Sequence, residues 1–208
     1  MNRFMFVMAL LLTTCVAQAS VCPKPAASDI VDTSKPVQPL KPNADQSEAA
    51  TLTANLMTRY HYDAVPLDDA MSKKIFKGYI DSLDSQKMFF TQADIDSFNA
   101  ARTTLDDAIW NGDLTVPFHI FNVYVKRLVA RTAYAQKLLA KGFDFKQDES
   151  YHYDRSKAEW AKDEAALNDL WRKRVKNDWL RLELADKKDA AIKTTLDKRY
   201  TMYLQRVR

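Results

Sequence analysis

Three serine–lysine neighbours, Ser34-Lys35, Ser72-Lys73 and Ser156-Lys157, carry the residue types that could cleave a peptide bond. A lysine amine can take a serine proton only if it is aimed at the hydroxyl, whereas adjacent residues point different ways on a helix or a strand. None of the three reads as a catalytic dyad. His61, His119 and His152 are far apart, and none has a second histidine or cysteine at the i, i+4 spacing a zinc site uses, so each reads as a solvated or hydrogen-bonded structural histidine. Asp68-Asp69 and Asp106-Asp107 are expected on exposed faces as solvated charge. There is no G-x-S-x-G elbow, Walker loop or dinucleotide fingerprint. Catalytic, cofactor-binding and metal-binding residues are therefore expected to be absent from this chain.

Binding signals are stronger. The chain carries 31 basic and 27 acidic residues, a formal charge of +4, and the two signs are interleaved rather than segregated. A nucleic-acid reader concentrates its basic side chains on one face, so that class is set aside. The densest cationic run, Arg172 to Lys176, shares its segment with Trp171 and Trp179. It reads either as a solvated helix face over core tryptophans or as a partner surface rich in Trp and Arg. Trp160, close after Arg155, lies in an irregular arm. With Trp171, Arg174, Tyr200 and Tyr203 these two make the candidate interdomain or partner surface.

The elements that must position these residues are helical. Only three glycines occur, too few for a sheet with its turns, and five of the seven prolines lie between residues 20 and 45. The expected fold is all-α: an irregular bundle of about six helices, after a signal peptide at 1–19 and a proline-rich flexible linker at 20–46. The helices are expected at 47–62, with Leu52, Leu56 and Tyr60 inward, then from Leu67 to near Ser85, 92–110, 117–140, 162–185 and from 188 onward. Gly112 and Gly142 sit where helices should stop, and Pro117 where one should begin. Gly78, inside a helix, is expected to mark the close approach of a neighbour.

The sharpest signal is PLDDAMSKKIFKGYIDSLDSQKMFFTQADIDSF, residues 66–98. Leu67, Met71, Ile75, Tyr79 and Leu83 recur every fourth residue and predict one buried face, with Phe76 and Ile80 beside them. Thr91-x-x-Asp94 predicts a cap on the next helix, with Met88, Phe89 and Phe90 plugging the corner between the two.

The run Ile75-Phe76-x-x-Tyr79-x-x-x-Leu83-Asp84, followed by Phe90-x-x-x-Asp94-Ile95, resembles the N-terminal helical region of the periplasmic tail-specific proteases, carboxyl-terminal processing peptidases of the serine–lysine type. A second block, Tyr153-Asp154-Arg155-Ser156-Lys157-Ala158-x-Trp160 with Glu164, Leu167, Leu170-Trp171 and Val175-Lys176, is similar to the same family further along. The resemblance implies a PDZ module and a peptidase core, both absent from this chain, as partners of this region. It also implies an adaptor protein as a further partner. On this reading the chain is a non-catalytic scaffold and interaction domain. The other reading is a freestanding periplasmic helical adaptor or holdase.

The first residues read as an address. Arg3, the apolar run from Phe4 to Leu12 and Ala17-Gln18-Ala19 form a charged region, an apolar core and a cleavage site, implying export to the periplasm. That run is short of the roughly 20 apolar residues a membrane span needs. Cutting after Ala19 removes Arg3 and leaves 30 basic against 27 acidic residues, a charge of +3. It leaves Cys22 as the single thiol, with no internal disulfide open to it. At the other end Ile192, Leu196, Tyr200, Tyr203 and Val207 mark a face with no capping residue after it. This predicts a chain stopping in mid-helix, with an exposed apolar patch around Tyr200, Tyr203 and Val207.

Overall fold

The computed structural model describes residues 37–63 and 65–207, and all statements of absence below refer to these. The expected signal peptide, both cysteines and most of the proline-rich stretch lie outside them. Seven α-helices follow one another: α1 Ala44–Tyr60, α2 Asp69–Asp84, α3 Gln92–Ser97, α4 Leu105–Trp110, α5 Thr115–Lys141, α6 Glu164–Glu183 and α7 Asp189–Gln205. No strand is present among the described residues, only an isolated bridge between Thr91 and Ala161. The expected all-α bundle is the observed fold.

Four of the seven helix starts, those of α1, α2, α3 and α6, carry a side-chain cap. Asn43 and Gln46 form a capping box on α1, and Asp68 accepts from the Met71 N–H at the head of α2. Thr91 and Asp94 close a second box on α3, as their spacing predicts, and Asp163 caps α6. Gly112 at φ +67° and Gly142 at φ +79° turn the chain out of α4 and α5. At Gly112 a side chain would also press on Thr51 Oγ1 at 3.2 Å.

The core has two lobes sharing α5. One gathers α5, α6 and α7 around Leu128, Leu139, Trp171, Val175, Leu196 and Tyr200. The other packs α2 and the α3–α4 segment against the first half of α5 through Phe76, Ile80, Ile95, Phe98 and Ile120. The corner residues divide between them, Met88 and Phe89 in the first and Phe90 in the second, so the corner is plugged as its apolar triplet predicts.

Four expectations are corrected. The single helix expected over 92–110 is broken into α3, a 3-10 turn at Asn99–Thr103, and α4. The buried hydroxyl of Ser72 accepts the Leu105 N–H at 3.0 Å and supplies the acceptor that a continuous helix would have provided. Leu52, Leu56 and Tyr60 are 57, 49 and 77% exposed, because α1 lies on α4 and buries Ala54 instead. On α2 the deeply buried line is Ser72, Phe76, Ile80 and Asp84, one position round from the Leu67–Leu83 stripe. Gly78 is exposed, with nothing near the place of a Cβ.

The surface of α7 also differs from expectation. The helix runs to Gln205, Arg206 keeps a helical conformation after it, and the Val207 N–H reaches the Leu204 carbonyl. Tyr200 is fully buried and Tyr203 and Val207 partly so, which removes the exposed patch expected there.

Candidate functional site

The corner after α2 is built on one carboxylate. Asp84 ends the buried line of α2, and Lys87, at φ +52°, turns the chain back beneath it. Asp84 Oδ1 accepts the Met88 N–H at 2.7 Å, and Oδ2 accepts those of Phe89 and Phe90 at 2.8 and 3.0 Å. Burial pushes the Asp84 carboxyl above its ordinary value, against the pull of these N–H groups and of the Arg174 charge. The Met88 carbonyl then receives the indole N–H of Trp171, joining the corner to α6.

Trp171 opens the way to a polar layer between α6 and α7. The Arg174 guanidinium lies over the Trp171 and Tyr203 rings, 5.1 and 5.8 Å from their centres, and donates to the Tyr203 hydroxyl at 2.7 Å. Beneath, Tyr200 donates to Asp178 Oδ2 at 2.7 Å, and Arg199 Nη1 lies 3.4 Å from Asp178 Oδ1. Burial and the Asp178 charge hold the Tyr200 hydroxyl far above the usual tyrosine range. Arg174, Asp178, Arg181, Arg199, Tyr153 and Tyr203 together line an open pocket of about 310 Å³.

A second concavity is wholly different in character. α1 stands away from α2, leaving an apolar groove of about 670 Å³ between them, closed by α4 and the start of α5. Ala54 and Met57 form one wall, Met71, Ile75 and Tyr79 the other, and Ile109 lies at the base. The Tyr79 hydroxyl is satisfied by the Pro117 carbonyl at 2.9 Å, so it presents little polarity to the groove. The Leu67–Tyr79 stripe therefore faces a channel rather than a sealed core.

The six residues expected at a partner surface separate into two groups. Arg174 and Tyr203 come together at the rim of the polar pocket. Trp171 and Tyr200 have no exposed surface and support that rim from beneath, so they are corrected from surface to core residues. Trp160 and Arg155 lie elsewhere, held by the corner. The Trp160 ring packs edge-on to Phe90 at 6.1 Å under the Lys87 ammonium, and the Arg155 N–H bonds Gln86. Sequence reasoning missed Asp178, Arg181 and Arg199. The i, i+4, i+7 spacing of residues 174, 178 and 181 was a readable signal, but their partner on α7 was not.

The residues with catalytic potential are engaged elsewhere. Ser72 is buried against Leu105 while Lys73 is exposed, and Ser156 Oγ donates to Asp154 at 2.8 Å. Ser34 and Lys35 lie outside the described residues. His61 is exposed at the groove mouth with Nδ1 2.9 Å from the Asp63 carbonyl oxygen, and His119 and His152 are exposed. Asp106 departs from expectation: it is only 6% exposed and its Oδ1 has no hydrogen-bond partner, because α4 turns that side inward. No cluster of three metal-ligating side chains occurs among the described residues.

Comparison with known proteins agrees with this architecture. Residues 53–208 match the family described as "Tail specific protease N-terminal domain". The chain is 40% identical over 181 residues to the tail-specific protease of Haemophilus influenzae, an alignment that takes in 82% of this chain and 26% of that protein. The chain thus spans about a quarter of its relative's length. The helical bundle built around the Asp84 corner belongs to the tail-specific protease family and is its N-terminal domain.

Proposed function

We propose that this domain is a non-catalytic scaffold and interaction unit of an exported serine–lysine protease that degrades or processes proteins from their C-termini in the periplasm. On this reading the peptidase chemistry belongs to parts of the protease outside this domain; the alignment takes in 26% of the Haemophilus relative. This domain supplies shaped helical surface against which that remainder docks, with room for an adaptor protein.

The observation that carries this reading is the uncovered apolar surface of α1 and its groove. Leu52, Leu56, Met57 and Tyr60 are exposed beside a channel lined almost wholly by apolar side chains. A freestanding module would cover such a surface, since contiguous apolar patches on isolated soluble proteins favour association.

The test is a hydrophobic-dye titration of the purified domain, repeated with the remainder of the protease added as a separate chain. Strong dye binding that the added chain suppresses is expected. Weak dye binding, or binding that the added chain leaves unchanged, favours the freestanding adaptor or holdase.

A further inference from the structure

The polar pocket between α6 and α7 has a charge that its own residues do not balance. Arg174, Asp178 and Arg181 fall on one face of α6 at i, i+4 and i+7, and Arg199 and Tyr203 on one face of α7 at i and i+4. Packing the two helices brings three guanidiniums to one opening of about 310 Å³ with a single carboxylate, a formal excess of two positive charges.

The one carboxylate is already occupied. Asp178 receives the Tyr200 hydroxyl on one oxygen and lies beside Arg199 on the other. Arg174 and Arg181 have no carboxylate within 4.0 Å among the described residues. Their flat faces are held by aromatic rings, Arg174 between Trp171 and Tyr203, and Arg181 over Tyr153 at 6.0 Å. Stacking fixes a guanidinium by its face and leaves its N–H edge to donate; Arg174 gives one N–H of that edge, on Nη2, to the Tyr203 hydroxyl, and the rest of the edge, with that of Arg181, matches the oxygens of phosphate.

We propose that this pocket binds a small dianion of the phosphate class, with Arg174, Arg181 and Arg199 donating to its oxygens and the Tyr203 and Tyr153 rings walling the site. Three cationic donors suit a tetrahedral group with several equivalent oxygens better than a planar carboxylate, which offers two. The inference rests on this pocket alone and is independent of the protease reading.

Isothermal titration with inorganic phosphate, with succinate and chloride at matched ionic strength as comparisons, tests it. One phosphate per chain is expected, with succinate and chloride weaker. Arg181→Ala removes an exposed side chain without a carboxylate partner and is expected to weaken phosphate binding about tenfold, the scale of one charge-assisted hydrogen bond. Arg181→Ala with Arg199→Ala should abolish it, with the helical circular dichroism retained. Equal heats for phosphate and chloride overturn the proposal, as does succinate binding more tightly than phosphate, or an Arg181→Ala protein that binds phosphate as the parent does.

Discussion

The Tyr200 hydroxyl meets Asp178 Oδ2 at 2.7 Å in the interior, tying the middle of α7 to α6 beneath the polar pocket. Tyr200→Phe keeps the ring and its packing on Trp171 but deprives a buried carboxylate of its donor. The expected cost is about 1–3 kcal/mol in urea unfolding.

The same pair sets an alkaline limit. The Tyr200 pKa is raised in the fold, first by burial and then by Asp178, so its contribution is fully present below the unfolded value of about 10. It is lost as pH rises toward the folded value. Ultraviolet titration should show this tyrosine ionising after the others, and Tyr200→Phe should remove the latest step.

At the acid end Asp94 acts in the opposite direction. Burial raises its pKa, but the Arg127 guanidinium and the Thr91 N–H and hydroxyl outweigh burial and leave it lowered. Arg127 holds it through Nε and Nη2, both at 2.9 Å, and reaches Glu164 at 2.7 Å, so one cation joins α3, α5 and α6. The stability Asp94 adds is present above its unfolded pKa of about 4 and is lost as pH falls through the lower folded value. Chemical unfolding followed from pH 6 to pH 2 should show a shallower loss in Asp94→Asn than in the parent.

Asp84→Ala strands the N–H groups of Met88, Phe89 and Phe90, all buried. The expected loss is about 3 kcal/mol or more, enough to unfold a marginal domain. Hydrogen exchange in Asp84→Asn, which keeps an acceptor oxygen, should show faster exchange at residues 88–90 than at the centre of α5.

The local chemistry of this fold was legible in the chain. The Thr91–Asp94 box and the glycines that end α4 and α5 depend on neighbours within a few residues, and the Met88–Phe90 plug shows as an apolar triplet in a short link, although the side chains that bury it come from α5, α6 and α7. What escaped depends on contacts between distant segments. Periodicity shows that Leu52, Leu56 and Tyr60 share a face of α1, but only the position of α4 decides that Ala54 is the buried side. Likewise the break after α3 needs Ser72, 33 residues before Leu105, and the arginine pocket needs the register of α7 on α6.

The role proposed for this domain is to shape the protease and leave cutting to the rest of it. The direct measurement is hydrolysis of a fluorogenic peptide with an apolar C-terminus by the purified chain alone and by the chain joined to the rest of the protease. The account predicts no turnover above buffer for the chain alone and turnover for the joined protein. Hydrolysis by the isolated chain, persisting through repurification and scaling with its concentration, would contradict it.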